Sequence, residues 1–129
     1  MELIPNIITF LMQSSDVVAL FDHRITGDDV PDGQTYYPYA YLWEVTSPQN
    51  YNHQGESGRV ALVQCDVVSD TIIGADEAKR TIKSALSGYR GMMGEVNVGF
   101  CFVNEASVPK DADQKAYRRI LELTLGTNN

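Results

Sequence analysis

The chain has 129 residues, 43% of them hydrophobic and 21% charged. This is an ordinary balance for one folded domain and too apolar for wholesale disorder. Ten Lys or Arg against seventeen Asp or Glu give a formal net charge of −7, and an acidic chain with no basic tract is a poor general binder of nucleic acid.

No apolar run approaches the ~20 residues of a membrane span. The opening Met-Glu-Leu-Ile-Pro lacks the basic start of a signal peptide, so a soluble, cytosolic, single-domain protein over residues 1–129 is expected. The charge is unevenly placed. Residues 1–58 hold eight acids and one base, Arg24, whereas residues 59–129 hold nine of each.

Ile4, Ile7, Ile8 and Leu11 recur at helical spacing and predict a helix from Leu3 to Gln13, with Pro5 tolerated in its first turn. Ser14-Ser15-Asp16 breaks the pattern, and Ser15 can cap a short second turn through Val17, Val18 and Leu20. Residues 26–35, with Pro31 and two glycines among small polar residues, are loop chemistry. Tyr37 to Val45 reads as a strand whose period of two puts Tyr37, Tyr39, Tyr41 and Trp43 on one face. That face suits a satisfied core or an assembly surface. Tyr36 and Tyr51, beside polar loops, suit a protein interface.

Residues 46–58 form a polar connection well beyond the usual two to five residues of a hairpin, so the segment is expected to be an extension that is either mobile or functional. Arg59 to Ser69 is the clearest strand, with Ala61, Val63, Cys65 and Val67 facing one way and Gln64 and Asp66 the other. Ala75, Ala78, Ile82, Ala85, Leu86 and Tyr89 mark a helix, which Gly88 or Gly91 can stop. Val96 to Val103 is a strand with Val96, Val98, Phe100 and Phe102 on one side, and Asn104 to Gln114 is a charged loop. Ala116 to Leu125 is the last strand, and residues 126–129 read as a frayed tail. Arg118 and Arg119 point to opposite faces there. Arg119 must be paired, with Glu122, Glu95 or an acid of another subunit, or must snorkel. The expected fold is α+β: one mostly antiparallel β-sheet with two α-helices packed on one face.

No motif supplies catalysis. The glycines of Gly88-Tyr-Arg-Gly-Met-Met-Gly94 follow a helix, whereas a phosphate loop precedes one. Asp28, Asp29 and Asp32 lack the alternate spacing of a calcium loop and fit a solvated turn. His53 and Ser57 share a loop without a nucleophile elbow. Cys65 and Cys101, 36 positions apart, form no CxxC and sit within strands as small hydrophobes. No cofactor or metal is expected.

The order of several weak motifs resembles the tail completion or tail terminator proteins of long-tailed phages, over about residues 1–125. It rests on Ser14-Ser-Asp-Val-Val-Ala-Leu-Phe21 followed by Arg24-Ile25, and on Tyr37-Pro-Tyr39. It continues with His53-Gln-Gly-Glu-Ser-Gly-Arg59 leading into a strand ending Asp66-Val-Val. The helix closing on Gly88-Tyr-Arg-Gly91 and Tyr117-Arg-Arg complete it. The resemblance implies a structural, non-enzymatic virion protein made in the host cytoplasm. It implies a homo-oligomeric ring, typically a hexamer, that caps the tail tube protein and meets head-connector or neck proteins. DNA would pass through without specific binding. On this reading Tyr36, Gln49, Asn50, Tyr51, Asn52, His53, Arg90 and Arg118 are candidate interface residues. Asp28, Asp29 and Asp32 are candidates for an acidic lumen, or for a seam against Arg90 or Arg118. Another neck or head-closure protein and a small-ligand-binding module are the alternatives; the latter would show a concave apolar pocket.

Overall fold

A computed structural model describes residues 3–27, 36–46, 59–106 and 117–127. Their elements in chain order are α1 (Leu3–Leu11), α2 (Ser15–Phe21), β1 (Ile25–Gly27), β2 (Tyr39–Thr46) and β3 (Arg59–Ser69). Then come α3 (Ile72–Leu86), β4 (Gly91–Met93), β5 (Val96–Ala106) and β6 (Tyr117–Thr127).

The strands form one six-stranded sheet in the order β1-β2-β3-β6-β5-β4. β1 runs parallel to β2, and the other neighbours are antiparallel. The sheet is therefore mixed, and it carries three helices among the described residues. This corrects the expected mostly antiparallel sheet with two helices. The reasons are local. β1 and β4 have three residues each, too short to show an alternating pattern. What reads as a single turn after α1 is a helix of its own, bent 95° from α1.

Caps explain the helix starts. Ser14, not Ser15, caps α2, its hydroxyl accepting from the Val17 N–H at 3.4 Å. Thr71 caps α3 by accepting from the Gly74 N–H at 2.9 Å, so α3 begins three residues before its apolar stripe. After α3, Gly88 takes φ +75°, and its N–H donates to the Cys101 carbonyl at 2.9 Å. The glycine stop thus also fastens the helix exit to β5.

Leu3, Ile4, Ile7 and Leu11 of α1 and Ala78, Ile82 and Leu86 of α3 pack on the inner face of the sheet. That face presents Ala40 and Leu42, Ala61 through Val67 on alternate positions, and Leu121, Leu123 and Leu125. Each fully buried Leu or Ile contributes about 1.5–3 kcal/mol relative to exposure. One open point is decided here and one expectation fails. In β2 the buried residues are Ala40 and Leu42, so of the two readings left open the tyrosine face is not the core. In β5 a register shift between Val98 and Phe100 inverts the alternation. Cys101 and Val103 are consequently buried, and Phe102 turns outward. β6 runs on to Thr127, which pairs with Arg59 and Val98.

Candidate assembly surface

Period-two geometry sends Tyr39, Tyr41 and Trp43 to the face opposite the helices. Their cross-strand partners on β3 are Val68, Asp66 and Gln64, and the same rows continue on β6 with Arg118, Ile120 and Glu122. The face is thus an aromatic column on β2 beside a β3 column in which polar Asp66 and Gln64 are flanked by Val68 and Leu62.

Asp66 is its most constrained residue, only 3% exposed. A buried carboxylate needs compensating partners. Tyr41 donates its hydroxyl to Asp66 Oδ2 at 3.0 Å, and Gln64 donates Nε2 to Oδ1 at 2.7 Å. A guanidinium nitrogen of Arg118 lies 3.6 Å from Oδ2. Burial, and next the Asp66 charge, pushes the Tyr41 phenol above its ordinary pKa. Burial, and next Tyr37, does the same for Tyr39. Arg118 Nε is buried and has no hydrogen-bond partner among the described residues.

Towards the other end of the same face the side chains become apolar. Phe100 and Phe102 stack with ring centroids 5.1 Å apart, and Phe102 is 58% exposed. Leu62 of β3 shares a cross-strand row with Phe102 across Thr124 and is exposed, as is Val45 of β2. Phe100 lies over Gly126, where a β-carbon would come within 2.6 Å of its ring. A second group of exposed hydrophobics gathers where β3 ends. Tyr117 pairs with Ser69 there, and Ile72 and Ile73 open α3 just beyond. Tyr36 and Tyr37 precede β2 at the same end. Ile73 is 79% exposed and Tyr36 71%. Large aromatic and aliphatic side chains collected on one surface mark contact regions.

Of the candidates named from sequence, Tyr36 and Arg90 are exposed and Arg118 is half-buried against Asp66. Gln49, Asn50, Tyr51, Asn52, His53, Asp28, Asp29 and Asp32 lie outside the described residues. Arg119 is paired, but with Asp76 of α3 at 2.9 Å rather than with Glu122 or Glu95. Sequence reasoning missed Asp66, Ile73 and Phe102 as surface-defining residues. Asp66 carried one signal, a carboxylate well inside a mostly apolar strand; its partners needed the register.

Other chemistry is sparse. Burial raises the Cys65 thiol, and raises Cys101 to about 11, so neither is a poised thiolate. Among the described residues no three His, Cys, Asp or Glu side chains gather as a metal site. A groove of about 780 Å³ between α2 and α3 is lined by Ser14, Asp16, Glu77, Arg80 and Ser84 together with Leu20. Ala19, Thr81 and Ala85 complete the lining, which mixes polar and apolar groups and is not the mainly apolar wall of a typical ligand pocket. Among the described residues no single helix is long and apolar enough to cross a membrane.

A comparison with curated proteins finds no match. A solved chain in "Virion of native gene transfer agent (GTA) particle" superposes with a TM-score of 0.74 at 16% sequence identity, covering 95% of this chain and 92% of that one. That likeness establishes a shared fold. The family described as "Tail completion protein gp17" matches residues 5–127, nearly the whole described fold. The chain therefore belongs to the tail completion protein family and is a structural protein of the virion tail.

Proposed function

We propose that the protein is the tail terminator, a ring of identical subunits, typically six, at the head-proximal end of the tail. The ring caps the tail tube and offers a surface to the head connector. Its role is structural and not catalytic. The observation that carries this reading is the outward-facing column of Tyr39, Tyr41 and Trp43 on β2, with Leu62 of β3 and Phe102 of β5 exposed on other strands of the sheet, on a chain of the tail completion family. A face of this composition suits protein contact. The interface also draws on Tyr36, on residues 49–53 and on Arg90. The acidic stretch with Asp28, Asp29 and Asp32 lines the lumen or forms a seam. Arg90 is its better counter-charge, because Asp66 already engages Arg118. An acidic lumen would let DNA pass without adhering.

Electron microscopy of particles made without the protein tests the function. Overlong tails, or tails detached from heads, are expected. Normal virions would overturn it.

A further inference from the structure

The edge strands β1 and β4 cover only part of the strands beside them. β1 pairs with Ala40–Leu42 of β2, so Trp43–Thr46 has no neighbouring strand on that side among the described residues. β4 pairs with Val96–Val98 of β5. Further along, the Gly88 N–H donates to the Cys101 carbonyl at 2.9 Å. Past that bond, Phe102–Ala106 has no neighbouring strand on this side among the described residues. Alternate residues of a strand turn their N–H and C=O groups to the same edge. Val103 and Glu105 therefore present theirs where Cys101 does. Such an open row is a template for another strand. Each notch also exposes an apolar side chain, Val45 on β2 and Phe102 on β5.

The two notches fit each other. β2, β3, β6 and β5 alternate in direction, so β5 runs opposite to β2. Copies related by rotation about an axis along the strands keep these directions. β5 of one copy then meets β2 of the next antiparallel, like the other long pairs. In that alignment Phe102 comes near Thr46 of the next copy, and Ala106 near its Trp43. The next copy's β1 lies past the end of β5, and Gly88 and β4 lie past the end of the next copy's β2. Neither short strand is in the way. Within one subunit Trp43 is level with Asn104, through Gln64 and Glu122. The joint moves it two residues along, to Ala106, which is about 7 Å. A stagger of this kind accompanies strand tilt in a sheet that closes on itself.

We propose that neighbouring subunits pair Phe102–Ala106 of β5 with Trp43–Thr46 of β2 by main-chain hydrogen bonds, in a lap joint whose register β1 and β4 set. The occupant of each notch is a second copy of this chain, because one sheet carries both halves of the joint on opposite edges and in opposite directions. The proposal rests on the ring reading above and names its contact. The joint is head-to-tail, the type of interface from which a ring is built.

Cross-linking tests it. The joint sets Val45 opposite Asn104 of the neighbour, and opposed β-carbons lie about 4.5–5.5 Å apart. Both residues are exposed, whereas the natural Cys65 and Cys101 are buried. Val45→Cys with Asn104→Cys is assembled, treated with a short bis-maleimide and run on a denaturing gel. A ladder of covalent species beyond the dimer is expected, with each single variant linked at least tenfold less. Assembled double variant that denatures to monomers, or single variants that link as well as the double, would overturn the proposal. Wild-type protein that forms no oligomer, alone or on tail tubes, would instead overturn the ring reading.

Hydrogen exchange of the wild-type protein decides the same point without substitutions. The Val103 and Glu105 amides should slow by tenfold or more on assembly. Unchanged exchange at both in the assembled protein rules the joint out.

Discussion

Arg119 Nε donates to Asp76 Oδ1 across 2.9 Å and ties the last strand to α3. Lys79 stands 3.8 Å from the same carboxylate and 2.7 Å from Glu105, which Lys83 also reaches at 2.9 Å. The series of pairs bridges α3 to both β5 and β6. Its two carboxylates are thereby held in their charged form. Hydrogen bonds from Lys79, then Lys83, lower Glu105 to about 2, and the hydrogen bond from Arg119 lowers Asp76.

Both groups have folded pKa values below their unfolded ones, 4.5 for Glu105 and 3.8 for Asp76. Their stabilisation is therefore complete above the unfolded values and is lost as pH falls through the folded ones. Lys79→Met with Lys83→Met should lower the urea midpoint at pH 7. The gap from wild type should close as pH falls from about 5 towards 2. It should also shrink in 1 M salt, because the pairs are partly exposed. Urea titrations across that range check it; a gap that stays constant to pH 2 would contradict the assignment.

Asp66 makes the opposite case, a charge inside the surface layer rather than on it. Asp66→Leu would strand Arg118 and leave the Tyr41 hydroxyl and the Gln64 amide without their acceptor. Breaking one side of a buried pair costs about 3–5 kcal/mol, less here because Arg118 is one-third exposed. A loss of about 2–3 kcal/mol is expected. Asp66→Leu with Arg118→Met should recover the share due to the unpaired guanidinium, while the Tyr41 hydroxyl and the Gln64 amide still lack their acceptor. A double-mutant cycle by chemical denaturation measures this. Additive losses would show that the two side chains are not coupled.

The end of α2 holds a third test. Asp22 sits at φ 54°, ψ −118°, a conformation that favours glycine. A carboxylate at a helix C-terminus also opposes the helix dipole. Asp22→Gly should therefore stabilise the protein by roughly 1 kcal/mol, after glycine's own entropy is subtracted. Thermal melts check this; destabilisation would mean that the exposed Asp22–His23 pair at 3.7 Å matters more than the backbone.

These sites show which features a sequence makes legible. The strand with Ala61, Val63, Cys65 and Val67 inward and the stripe Ala78, Ile82, Leu86 could be read directly, because each repeats one period over several turns or pleats. β1 and β4 could not, since three residues contain no period. The outward turn of Phe102 depends on one extra residue between Val98 and Phe100, which inverts every later side chain. Tyr37 to Trp43 were legible as one face, but which face became clear only when Ala40 and Leu42 met the helices. Asp66 and Arg118 meet across strands whose register is set by the whole sheet, so no local pattern announces them.

The outer face offers the most direct test of assembly. Phe102 and Ile73 are exposed, and neither belongs to the buried core. Substitutions at exposed positions outside special features usually change stability by no more than about 0.5 kcal/mol. Phe102→Ser and Ile73→Ser should therefore leave the thermal midpoint of the free protein close to wild type. If the aromatic face or the Ile72–Ile73 end is an inter-protein contact, removing its anchor should still weaken association, because few residues carry most of the energy of an interface. An anchor worth about 2 kcal/mol corresponds to roughly a thirtyfold loss of affinity. Complementation by each variant, scored as the fraction of particles with joined heads and tails, separates the two effects. A variant that folds normally and yields few joined particles places its residue in a contact. If both variants complement fully, neither Phe102 nor Ile73 anchors the assembly, and the contact must run through Tyr36, Arg90 or residues 49–53.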